Sequence, residues 1–239
     1  MKVLLSIIFW IVGMILTIAH FLAVTFVTII FYPFDKKRTA AHAQSYWWSD
    51  ALIGMNPYWK ITASGLENID RKKTYVIVVN HQSIADILLV YKLRMQFRWV
   101  AKESLFSLPF LGLSMAMMKT IKLKRGEFGS IRKTWREAAG WLRNDMSVIF
   151  FPEGTRSNSD EMRAFQNGAF KLALKEKKPI LPIVIKGTRD AIPKGSWIFN
   201  TKVNGTLEVL PEIDASLFGP KEFEKLKDKV RQEFEKALA

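Results

Sequence analysis

The chain opens on an apolar run from Val3 to Phe34 that contains no Lys, Arg, Asp or Glu. Its polar members are Ser6, Thr17, His20, Thr25 and Thr28. Runs beyond about 18 apolar residues read as membrane-embedded, because ~20 helical residues cross a hydrocarbon core of ~30 Å. As one straight helix this run would reach roughly 48 Å. It therefore tilts, protrudes, or bends back as a pair of shorter helices. Gly13 and the His20 region are the candidate break points, and Pro33 marks the end. A cleaved signal peptide would be shorter and would end in small residues.

Beyond residue 38 the pattern changes. Short runs rich in Val, Ile, Phe and Tyr predict strands over Trp59–Ala63, Tyr75–Val79, Phe97–Ala101, Thr120–Leu123, Val148–Phe151, Ile180–Ile185 and Thr206–Leu210. Helical spacing appears between and after them. Ser130–Arg143 places Ile131, Trp135, Ala138 and Leu142 on one stripe, and Phe223–Leu238 places Phe223, Leu226, Val230, Phe234 and Leu238 on another. The charged outer side of that last helix reads as a solvated face. Alternating strands and helices predict an α/β fold: a mixed sheet flanked by helices, with an N-terminal hydrophobic helical membrane anchor. The expected division is 1–38 for the anchor and its basic flank and 39–239 for one globular domain.

Charge sharpens this picture. The formal net charge is +14, which favours anionic partners. Nucleic acid is not expected, since zinc-finger spacing, aromatic RNA-binding motifs and basic repeats are all missing from the sequence. Lys36, Lys37 and Arg38 follow the apolar run, whereas only Lys2 and the amino terminus precede it. The heavier cationic flank favours the cytoplasmic side for the rest of the chain, on a cell inner membrane. Tyr46, Trp47, Trp48, Tyr58 and Trp59 follow soon after, either as interfacial rings or as core. There are no cysteines, so disulfides and thiolate metal sites are excluded. No metal site is expected, and His20 has no second ligand near it in the run.

Two heptads follow apolar strands. Residues 80–86 read Asn-His-Gln-Ser-Ile-Ala-Asp, and residues 151–157 read Phe-Pro-Glu-Gly-Thr-Arg-Ser. Ligands of open α/β sheets sit beyond the carboxyl ends of strands, so two such loops can face one site. Five helical residues turn through about 500°, which would take His81 and Asp86 off a common helical face. The pair works when His81 lies in the loop and Asp86 in the first turn of the next helix, predicted over Ser83–Leu93 with Ser83 as its cap. His81 is then a candidate base and Asp86 its partner. The second heptad is a compact anion cradle: Gly154 and Thr155 lead into Arg156, whose forked donors match phosphate oxygens.

With both heptads at this separation, the chain resembles the glycerophospholipid acyltransferase family, and within it the 1-acylglycerol-3-phosphate acyltransferase branch. The heptads stand where that family has the first and third of four sequence blocks. Residues 102–125, with Lys102, Leu105, Pro109, Gly112 and Arg125, resemble the second, and Leu181-Pro182-Ile183 the fourth. The similarity runs from about Lys60 to Leu210. Lys119 departs from the pattern, standing where the family tends to carry Gly.

The resemblance implies an acyl transfer without a covalent enzyme intermediate. His81 would deprotonate the sn-2 hydroxyl of lysophosphatidic acid, and Asp86 would steady the imidazolium. Substrate contacts are expected from Lys102, Arg125, Glu153, Gly154, Thr155 and Arg156. Glu153 has a second reading, as a brace of its own loop. Oxyanion stabilisation falls to amides near Gly154 or to Lys102. No cofactor is implied beyond the co-substrate, an acyl thioester of acyl carrier protein or coenzyme A. Pro109, Gly112 and Pro182 read as architectural, and Met115–Met118 as core. Two alternatives stay open: a different lysolipid or glycerol-3-phosphate as acceptor, and a lipid-binding protein without catalysis.

Overall fold

The computed structural model describes residues 2–156, 162–193 and 195–239. Its seven strands form one sheet: β1 (Trp59–Ser64), β2 (Val76–Val79), β3 (Phe97–Lys102), β4 (Ile121–Leu123), β5 (Ser147–Phe150), β6 (Ile180–Lys186) and β7 (Val203–Val209). Their order is β1-β7-β6-β2-β5-β3-β4. β6, β2, β5, β3 and β4 run parallel, β7 pairs antiparallel with β6, and β1 pairs parallel with β7. The carboxyl ends of the five parallel strands therefore share one edge. The strands begin and end within a few residues of the predicted runs, because β2 and β6 are buried on both faces and read as unbroken apolar stretches.

Alternate residues of β2 split the core. Ile77 and Val79 face a cluster with Trp48, Ile53, Leu89 and Val90. Those four belong to α2 (Thr39–Gly54) and α3 (Asp86–Val90). Val76 and Val78 face Ala138, Leu142, Phe170, Leu172, Val230 and Phe234. These come from α5 (Phe128–Arg143), α6 (Gly168–Glu176) and α7 (Phe223–Leu238). The terminal helix thus packs through its apolar stripe. Trp48 and Trp59 are buried, and Trp47 and Tyr58 are exposed, so the early aromatics divide between the two readings.

The apolar run forms a single helix, α1 (Lys2–Ile30), long and apolar enough by length and composition to cross a membrane. Neither Gly13 nor His20 breaks it. Gly13 lies instead against α2, within ordinary contact distance of Leu52 and Met55. His20 bonds Ser45 at 3.2 Å, Trp48 Nε1 donates to Thr17 Oγ1 at 3.3 Å, and Val24 packs with Ala41. Residue numbers rise along one helix as they fall along the other, so α1 and α2 are an antiparallel pair. The Asp35 carboxylate accepts from the amides of Thr39 and Ala40 and so starts α2.

The polarity of α1 is inverted relative to a soluble helix. Ser6, Thr17 and His20 face protein, while Leu4, Ile8, Ile11, Ile15, Leu22, Phe26 and Ile29 face outward. Met118 is buried against Val24 and Ala41, and Met117 packs beside it; these two methionines are core. They adjoin α4 (Leu111–Met117). A Cβ on Gly112 would meet the Phe106 carbonyl oxygen at 2.2 Å, which is the architectural demand at that position. Lys119 holds a φ of 58°, a left-handed conformation that glycine adopts without strain.

Candidate active site

His81 follows β2 directly, and Asp86 opens α3. The predicted helix over Ser83–Leu93 is shorter than expected: α3 covers Asp86–Val90, followed by a 3₁₀ turn over Tyr91–Leu93. Ser83 does not cap it. The hydroxyl of Ser83 accepts from Ala85 within the loop, and α3 has no side-chain cap. The reason lies in Asp86, whose Oδ2 reaches back to accept from the amides of Gln82 (2.7 Å) and Ser83 (2.8 Å). Those bonds hold residues 82–85 as a loop and draw the carboxylate under the imidazole.

His81 Nδ1 lies 2.8 Å from Asp86 Oδ2. The aspartate is 0% exposed and the histidine side chain 14%. A buried carboxylate facing Nδ1 assigns the proton to Nδ1 and leaves Nε2 as the lone-pair nitrogen. The ring is also fixed in plane: it stacks on Phe151 with centroids 4.0 Å apart and planes 18° apart. Asn80 anchors the loop from below, its carboxamide pairing with both the N–H and C=O of Ile185 at the end of β6. His42, by contrast, is enclosed by Tyr46, Tyr91 and Phe97, and burial pushes its pKa down to about 3. It is a neutral packing group.

The second heptad follows β5, the neighbour of β2. Glu153 is buried. One carboxylate oxygen accepts from the His81 amide at 3.0 Å and the other from the Arg163 amide at 3.0 Å. The first bond ties the two loops together, and the second braces the loop after β5 on itself. Gly154 turns at a φ of 71°, and its N–H is taken by the Phe151 carbonyl at 3.0 Å. Thr155 and Arg156 are half-buried, and Ser157 lies outside the described residues. Lys102 ends β3 and Arg125 follows β4; both are exposed. Strand spacings of ~4.8 Å put these strand ends roughly 10 and 14 Å from the end of β2.

One polar contact was not read from the sequence. Thr188, just past β6, donates to Asp86 Oδ1 at 2.5 Å. The only local signal was Gly187 before it, a turn residue after a strand.

Residues 60–186 match the acyltransferase family. A 1-acyl-sn-glycerol-3-phosphate acyltransferase of Borreliella burgdorferi is 32% identical over 180 residues, which is 75% of this chain and 72% of that protein. This chain belongs to the acyltransferase family, on the 1-acyl-sn-glycerol-3-phosphate acyltransferase branch. A chloroplastic 1-acyl-sn-glycerol-3-phosphate acyltransferase of Arabidopsis thaliana is 35% identical over 169 residues, 70% of this chain and 46% of that protein. This chain spans about half the length of that plant relative. The crystal structure of the 1-acyl-sn-glycerophosphate acyltransferase of Thermotoga maritima, PlsC, has the same fold, with a TM-score of 0.73 at 26% identity over 96% of each chain. The family match contains both heptads and stops just short of Thr188.

Proposed function

We propose that the protein moves a fatty acyl group from an acyl thioester to the sn-2 hydroxyl of lysophosphatidic acid, giving phosphatidic acid. The observation that carries this reading is the buried Asp86 carboxylate 2.8 Å from His81 Nδ1, with Nε2 left as the base. The names of the relatives supply the acceptor.

The residues divide the work as follows. His81 Nε2 takes the proton of the sn-2 hydroxyl as its oxygen attacks the thioester carbonyl. Asp86 balances the imidazolium that forms, and the Phe151 face beside the ring favours the cation further. The tetrahedral intermediate expels the thiolate, which takes the proton back from Nε2. The acyl donor is acyl carrier protein or coenzyme A, and no other cofactor enters. Arg156 holds the acceptor phosphate, because its loop adjoins β2 whereas Arg125 starts three strand spacings away. Lys102 and Arg125 assist from the rim. Glu153 positions both loops, and the committed Gly154 amide leaves the oxyanion to Lys102 or to the amides that follow Gly154.

Arg156→Ala is expected to raise the KM for lysophosphatidic acid about tenfold or more, since charged hydrogen bonds contribute ~1.5–3 kcal/mol. A lysolipid lacking the phosphate should lose far less. Steady-state kinetics with both acceptors separates the cases; equal losses would reassign Arg156 to the donor or to the fold.

The outward face of α1 rests in a lipid bilayer, on the side that the cationic flank at Lys36, Lys37 and Arg38 marks as cytoplasmic. Full burial of each large apolar side chain contributes ~1.5–3 kcal/mol, against ~1 kcal/mol per flanking cation. Membrane fractions should therefore keep the protein through high salt and carbonate washes and release it to detergent. Release by salt alone would show peripheral attachment.

A further inference from the structure

We propose that Thr188 is a positioning residue of this reaction: its hydroxyl pins Asp86 Oδ1, so that Oδ2 stays aimed at His81 Nδ1. The inference rests on the acyl-transfer reading above.

Asp86 Oδ2 takes three donors, all from within five residues of the chain: His81 Nδ1, the Gln82 amide and the Ser83 amide. Oδ1 takes its donor from 102 residues away, the Thr188 hydroxyl at 2.5 Å. Among the described residues Oδ1 has no other donor. Thr188 and Asp86 are both 0% exposed, so water does not replace that bond. A hydroxyl facing an ionised carboxylate oxygen donates. The terminal torsion of an aspartate is broad and roughly two-fold, so a carboxylate held at one oxygen only can swing. The Thr188 bond removes that freedom, and it does so from a different strand end.

The turn before Thr188 is built for this placement. Gly187 holds a φ of 73°, and a Cβ there would sit 1.9 Å from the Asn204 carbonyl oxygen. Only glycine fits. The Thr188 carbonyl then accepts from Ala191 at 2.9 Å and closes the turn. β6 and β2 are already joined at this edge by the Asn80–Ile185 pair, so the strand carrying Thr188 is fixed relative to the catalytic loop.

The test compares Thr188→Val, Thr188→Ser and Thr188→Ala in the full-length, detergent-purified protein. Two readouts are taken: steady-state kinetics with lysophosphatidic acid and an acyl thioester, and the imidazole ¹H–¹⁵N spectrum of histidine-labelled protein, with His81 assigned through His81→Ala. Valine keeps the shape and removes the hydroxyl; serine keeps the hydroxyl and removes a methyl. Positioning predicts that valine and alanine lower kcat about tenfold or more with both KM values unchanged, and shift or broaden the His81 Nδ1–H resonance. Serine restores both. A purely packing role predicts the opposite order, valine like wild type and serine like alanine, and overturns the proposal. If valine fails to fold, the serine–alanine comparison decides: equal losses overturn it. A fully active His81→Ala would bring down the acyl-transfer reading itself. An inactive His81→Ala beside a fully active Thr188→Val, with its resonance unmoved, would sink the Thr188 inference alone.

Discussion

His81→Ala is expected to lower kcat by ~10²–10⁴-fold or more, the usual contribution of a positioned general base. Among the described residues the imidazole is the group that is held by a buried carboxylate, stacked on a ring, and still partly exposed to a substrate. Alanine removes the base and the group that aligns the hydroxyl together. The fold should survive, because the local scaffold does not run through the ring. Asp86 keeps its bonds to the Gln82 and Ser83 amides, and Glu153 keeps the His81 backbone amide. Melting temperature and membrane retention should stay near wild type while turnover falls. Turnover within threefold of wild type would remove His81 from the chemistry.

Asp86→Asn is the second large effect, and its size follows from which way the amide must sit. The Oδ2 position faces two backbone N–H donors, so the amide oxygen goes there and its NH₂ turns to the Thr188 hydroxyl, which can accept. His81 Nδ1–H then still finds an oxygen and keeps its tautomer. What disappears is the negative charge beside the imidazolium. A charge-assisted bond reduced to a neutral one forfeits ~1.5–3 kcal/mol in the transition state, or roughly 10–150-fold in kcat. The loss should be smaller than for His81→Ala, with both KM values little changed. Asp86→Ala should be worse and less stable, because the Gln82 and Ser83 amides and the Thr188 hydroxyl lose their acceptor. An Asp86→Asn enzyme at full rate would reduce Asp86 to a loop brace.

The sheet was legible because its central strands are buried on both faces. Val76–Val79 and Ile180–Lys186 stand out as apolar runs whatever surrounds them. α2 was harder to read. Its buried positions include Ala41 and Ser45, which meet α1, and His42 and Ser49, which meet Tyr91, Phe97 and the Leu88 carbonyl; small or polar, they form no apolar stripe. The inverted polarity of α1 made His20 look like a break in that helix when it is a contact to Ser45 and Trp48. The His81–Asp86 pair was legible through the family resemblance, since a five-residue spacing is a weak signal alone, and the loop that brings the two together is local. The cap predicted at Ser83 failed on the same loop, since the Asp86 carboxylate holds residues 82–85 out of the helix and α3 begins only at Asp86. The bond of Glu153 to the His81 amide and the hydroxyl of Thr188 cross from one strand end to another, over 72 and 102 residues, and no periodicity encodes such contacts.

We propose that this edge of the sheet acylates lysophosphatidic acid. Purified protein mixed with lysophosphatidic acid acylated only at sn-1 and an isotopically labelled acyl thioester, with products read by mass, tests it most directly. The expected products are labelled phosphatidic acid with the new chain at sn-2 and one thiol released per product, with no product from His81→Ala. Wild-type protein that leaves lysophosphatidic acid unchanged with both carrier-protein and coenzyme A thioesters, or His81→Ala that forms the product at the wild-type rate, would contradict it.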